Sequence, residues 1–164
     1  MPPLTPHDLG RLYRQHAPAL RLYARQWPGC AEDVVHDAFL ALARQNTLPE
    51  RLLPWLYHVV RTGALATARS AVRRRRREAA ASTPEGWLTS VEDRLDAAAA
   101  AQALAGLPLE FREVMVARLW SGLTFDEVAR LIGCSLPTAH RRYQAGLTKL
   151  RKRLEVQCTQ TPKT

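Results

Sequence analysis

Residues Thr124–Leu150 read TFDEVARLIGCSLPTAHRRYQAGLTKL, the pattern of two short helices joined by a tight turn. Thr124 stands before an acidic first turn, Asp126 and Glu127. Its hydroxyl is therefore placed to accept from orphan amides while the carboxylates suit the positive helix end. Val128, Ala129 and Ile132 form the inner stripe of the first helix, and small Ala129 lets a second helix cross closely. Gly133 supplies the turn. Ser135 caps the next helix, Pro137 and Thr138 fit its first turn, and Ala139, Tyr143 and Leu150 face inward.

The second helix also carries charge. His140, Arg141 and Arg142 are followed by Lys149, Arg151, Lys152 and Arg153, with no acidic residue from Ser135 through Leu154. Such a helix enters a major groove by its N-terminal end, early residues toward base edges and arginines toward phosphates. A basic run taken alone is equally a solvated surface. Turn, caps and charge have independent physical causes, and together they favour DNA contact.

The longer segment LAGLPLEFREVMVARLWSGLTFDEVARLIGCSLPTAHRRYQAGLTKLRKRL resembles region four of sigma factors. That resemblance implies binding to the minus-thirty-five promoter element and contact with the β flap of RNA polymerase. It makes Ser135, Leu136, Pro137, Thr138, His140, Arg141 and Arg142 the DNA-facing positions. The chain departs from the family where His-Arg-Ala is usual: it has Gln144, Ala145 and Gly146, so a phosphate-binding arginine is missing at Ala145.

Upstream, AEDVVHDAFLALAR (Ala31–Arg44) places Asp33, His36, Asp37 and Leu40 at i, i+3, i+4 and i+7, on one helix face. The face is acidic with an apolar end, and it suits a basic helical partner better than DNA. The simpler reading, that Glu32 and Asp33 only complement a helix start, accounts for about 0.3–1 kcal/mol apiece and for nothing beyond the first turn. The segment resembles the part of sigma region two that grips the coiled coil of the polymerase β′ subunit. His36 stands where the family often has glutamine.

The next segment, LLPWLYHVVRTGALATARSAVRRRRRE, resembles the helix that recognises the minus-ten element and holds melted DNA. The expected DNA contacts are Trp55, Tyr57, Arg61, Arg69, Arg73 and Arg74. The aromatics suit base stacking, worth roughly 1–3 kcal/mol per base, and the arginines suit phosphates. For Trp55 a place in the core beside Leu56, Val59 and Val60 is an equal alternative. Thr62 and Ala66 replace the family's usual asparagine and aspartate, which implies a changed preference or weaker melting.

Helical periodicity extends over nearly the whole chain, and no strand-like alternation is evident. The 164 residues are 46% hydrophobic and 24% charged, a globular profile, and the net charge of +9 calls for a polyanionic partner. Residues 78–91 turn to Ala, Ser, Thr, Pro and Gly and mark a linker; an alanine-rich helix is expected from Val91 to Ala105. The expected fold is all-α: a region-two bundle over 1–77, a linker over 78–96, a region-four helix-turn-helix over 97–156 and a disordered tail over 157–164.

Other classes fit less well. No apolar run approaches the roughly 20 residues that span a bilayer, and no signal core follows the N-terminus, so a cytoplasmic protein without membrane insertion is expected. Cys30, Cys134 and Cys158 are scattered and lack metal-ligand spacing, so neither metal nor cofactor is expected. No phosphate loop or nucleophile elbow suggests an enzyme. The resemblance as a whole identifies the sequence as that of an alternative sigma factor of the extracytoplasmic-function type, binding core polymerase and promoter DNA. Families of this type are often held inactive by an anti-sigma factor wedged between the domains. The alternative is a helix-turn-helix regulator that never joins polymerase, which leaves the acidic face without a task.

Overall fold

The structure, a computed structural model, describes residues 4–45, 47–77 and 102–160. Six helices occupy them: α1 (Pro6–Ala24), α2 (Ala31–Ala43), α3 (Leu52–Arg77), α4 (Leu109–Ser121), α5 (Phe125–Ile132) and α6 (Leu136–Gln160). A helical turn at 102–105 precedes α4, and no strand is present among the described residues.

Local chemistry accounts for most of the boundaries. Thr5 caps α1 by accepting from the Asp8 amide at 3.2 Å, and Pro6 occupies a first-turn position where its missing N–H costs nothing. Helix α3 starts at Leu52, because Pro54 is still within the first turn and the apolar Leu52 and Leu53 pack inward. Helix α6 continues through Gln160, past the boundary expected at 156. Between Leu150 and Gln160 there is neither Gly nor Pro to stop it. The linker over 78–96, the 91–101 part of the alanine-rich helix and the last four residues lie outside the described residues.

Helices α1, α2 and α3 form a bundle. Leu20, Tyr23, Val35, Phe39, Leu42, Leu56, Tyr57 and Val60 fill its centre. Tyr23 meets Trp27 and Tyr57 edge-on, with centroids 5.2 and 5.0 Å away, a favourable arrangement for aromatic quadrupoles. Burying each large side chain contributes on the order of 1.5–3 kcal/mol.

Helix α4 differs from the rest: Glu113, Val114, Met115, Val116 and Ala117 are buried in succession. A helix whose middle is hidden all round needs neighbours on more than one side there. It has α1 on one flank and α5 with α6 on the other. Gly146 on α6 makes the second crossing possible, since a Cβ there would stand 2.5 Å from Met115 Sδ. The two helical units thereby share one continuous apolar core.

Polar ties reinforce that junction. Glu113 Oε1 accepts from Tyr23 Oη at 2.9 Å and from Arg61 Nε at 2.6 Å. Arg51 on the approach to α3 pairs with Glu127 on α5 at 2.6 Å. Arg112 Nη1 donates to the Ala105 carbonyl at 2.7 Å, and its Nη2 reaches the Gln26 carbonyl at 3.3 Å.

Candidate nucleic-acid and partner interfaces

The helix-turn-helix is built from its caps. Thr124 Oγ1 accepts from the Glu127 amide at 3.3 Å while Glu127 Oε2 accepts from the Thr124 amide at 2.7 Å, a reciprocal capping box that fixes where α5 begins. At its other end Gly133 takes φ 73°, a left-handed conformation open to glycine, and the Cys134 amide closes on the Ala129 carbonyl at 2.9 Å. Ser135 Oγ then accepts from the Thr138 amide at 3.3 Å and starts α6.

Glu127 is nearly buried, which opposes ionisation. Hydrogen bonds from the Thr124 amide and hydroxyl and the charges of Arg51 and Arg130 outweigh that burial and hold the carboxyl below its ordinary 4.5. One side chain thus serves the cap and the junction with the N-terminal bundle together.

The seven positions expected to face DNA do not all lie together. Ser135, Leu136, Pro137, His140 and Arg141 are exposed at the leading end of α6, and Leu136 keeps 45% of its surface in solvent. Thr138 is half-buried with its hydroxyl engaged by Ser135 at 2.8 Å. Arg142 turns back toward α4, 3.7 Å from Glu110. It belongs to the side of the helix that meets the protein. Gln144, one turn beyond His140, is exposed on the leading face; the i+4 spacing was the signal for it in the sequence. Lys149, Arg151, Lys152 and Arg153 continue the basic character in solvent.

His140 has a neighbour that periodicity did not suggest. Its ring stacks on Phe125, with centroids 3.9 Å apart and planes 27° from parallel. Tyr143 meets the same phenyl ring edge-on at 5.2 Å, and the Arg118 guanidinium lies 5.0 Å from its centroid.

On α2 the spacing argument translates directly into a surface. Asp33, His36, Asp37 and Leu40 are all exposed, while Val34, Val35, Ala38, Phe39 and Leu42 are buried behind them. Glu32, just before this face, is tied instead to Arg25 at 3.0 Å, and that hydrogen bond lowers its carboxyl below the usual range.

The minus-ten candidates divide into two groups. Arg69, Arg73 and Arg74 are exposed along the second half of α3. Trp55 is half-buried against the core, Tyr57 is 1% exposed, and Arg61 is engaged by Glu113 of α4. Burial also pushes the Tyr57 phenol well above its ordinary range. Arg61 is therefore taken up by α4 and Tyr57 by the core of the bundle, so neither is open on the face that was expected to hold DNA. Glu113 was missed in the sequence because a lone glutamate inside a helix carries no local sign of its distant partners. No group of residues suited to holding a metal ion is found among the described residues.

Comparison with known proteins agrees with this architecture. Residues 97–150 match the family model of Sigma-70, region 4. No curated protein matches the sequence. Among solved structures, the sigma factor RpoE from Bartonella quintana, solved in complex with the anti-sigma factor NepR, superposes with a TM-score of 0.75 at 24% identity, covering 91% of this chain and 98% of that one. CnrH, in complex with the cytosolic domain of CnrY, gives a TM-score of 0.63 at 24% identity, with 93% of this chain and 90% of that chain covered. At such identity these two likenesses concern the fold.

Proposed function

We propose that this chain is a sigma-70 family factor of the extracytoplasmic-function type and that it initiates transcription by dividing its contacts among three surfaces. The acidic face of α2, with Asp33, His36, Asp37 and Leu40, grips the β′ coiled coil of core RNA polymerase. The leading end of α6, with Leu136, Pro137, His140, Arg141 and Gln144, reads the upstream promoter element as duplex. Residues along α3 hold the downstream element, Arg69, Arg73 and Arg74 on the open part and Arg61 once Glu113 of α4 has released it.

The observation that carries this reading is the coincidence of the family match with the capped helix-turn-helix whose leading face is open and basic. The exposed acidic face on a chain of net charge +9 supports a second client of opposite charge. Bond chemistry is left to the polymerase. The complex in which the RpoE neighbour was solved supports an anti-sigma partner for this chain as well. A protein working on chromosomal promoters operates in the cytoplasm; no described helix is long and apolar enough to cross a membrane.

In vitro transcription with purified core polymerase on genomic fragments tests docking, melting and specificity together. Discrete start sites that depend on the added protein are expected. Duplex binding without any association with core polymerase would leave a helix-turn-helix regulator instead.

A further inference from the structure

Resting on the reading of α6 as the duplex-reading helix, we propose that Phe125 is a positioning residue for base recognition, holding the exposed imidazole of His140 in one plane at the mouth of the groove-entering end. The two rings belong to different helices of the motif and lie nearly parallel, 3.9 Å between centroids. An exposed histidine on a helix surface ordinarily samples several rotamers. Here one face of the imidazole is covered by the phenyl group, and its mobility is restricted before any ligand arrives.

The phenyl group is itself held. Phe125 is the first residue of α5, directly after the Thr124 cap, so the reciprocal bonds with Glu127 fix its backbone. Tyr143 abuts it edge-on at 5.2 Å, and Arg118 approaches to 5.0 Å while donating through Nη1 to the Leu123 carbonyl at 2.9 Å. The order of support therefore runs from cap to phenyl to imidazole. A neutral imidazole offers one donor and one acceptor, the pair of functions with which a side chain distinguishes base edges in the major groove. Ordering that group in advance removes part of the entropic cost of binding and confines its hydrogen bonds to one direction. Phosphate contacts from Arg141 and the later basic residues do not depend on it.

Two measurements test the idea on the full chain. In the proton NMR spectrum of the free protein, the ring CH signals of His140, identified by their loss in His140→Ala, should be displaced upfield by the phenyl ring current. Phe125→Leu should return them to ordinary positions, and Phe125→Tyr should keep them displaced. Undisplaced signals in the unsubstituted protein would overturn the stack.

The second measurement assembles the protein with core polymerase and selects from duplexes randomised over ten upstream base pairs. His140→Ala should flatten the preference at one or two positions, and Phe125→Leu should flatten the same positions by about three- to tenfold. Phe125→Tyr should retain the preference, and the salt dependence of binding should be unchanged in all three variants. Retained preference in Phe125→Leu, or flattening spread over every position, would overturn the proposal; the melting temperature of each variant separates that spread from misfolding. If the unsubstituted protein enriches no duplex, the initiation role fails and the proposal with it, an outcome distinct from a loss confined to Phe125→Leu.

Discussion

Arg141 and Arg142 are neighbours of the same type with different surroundings. Arg141 is exposed on the leading face of α6, whereas Arg142 is half-buried and directed at Glu110. A 100° step around a helix suffices to assign one to a ligand and the other to the protein. Arg141→Ala should therefore lower affinity for promoter duplex and make its dependence on salt shallower by about one counterion, measured by fluorescence anisotropy across a salt series. Arg142→Ala should leave that slope as it was. An unchanged slope in Arg141→Ala would remove the residue from the interface. The sequence could place both arginines in the second helix, but their distinction depends on where Glu110 lies, 23 positions before the turn at Gly133 and outside the motif.

At the scale of an element, helices α2 and α5 show two ways in which local sequence acts at a distance. On α2 the apolar residues are consumed by the core and the acidic ones are left in solvent, so amphipathic spacing alone produced the face. Asp37→Arg should abolish association with core polymerase in a pull-down while circular dichroism remains that of the unsubstituted protein. Undiminished association would refute the face.

Helix α5 carries the capping box, and there the charge of Glu127 has a pH signature. Its carboxyl is depressed in the folded state, so the folded protein binds the proton less readily than the unfolded chain. The stability it contributes is full above the ordinary value of 4.5 and disappears as pH falls through the lower folded value. Thermal unfolding should show the unsubstituted protein more stable than Glu127→Gln at pH 7, with the difference closing below about pH 4. A difference that stays constant down to pH 3.5 would show that the charge is not what stabilises the cap. The cap itself was legible, since Thr124 and Glu127 are three residues apart; its link to Arg51 was not, because nothing in either segment specifies the other.

For the whole molecule, the decisive feature is the junction that α4 makes between the two helical units. Glu113 is 7% exposed and accepts from both Tyr23 and Arg61, so removing its carboxylate leaves a buried phenol and a partly buried guanidinium without their acceptor. Glu113→Ala should cost about 2–3 kcal/mol in urea unfolding, and on the proposed reading it should also free Arg61 for DNA. A loss below about 0.5 kcal/mol would mean that water replaces the carboxylate and that the junction is held by apolar contact alone.

Taken by itself, the sequence determined the helices, their caps, the turn at Gly133, the acidic face of α2 and the basic character of α6. Each of these is set by residues within a turn or two of one another, where spacing translates directly into geometry. Only the tertiary structure decided that Arg61 pairs with Glu113 of α4, that Arg142 faces Glu110 and that Phe125 lies against His140. Those pairings join residues brought together by packing of separate helices, and burial of the apolar flanks of α4, rather than any local preference, selects which of them meet.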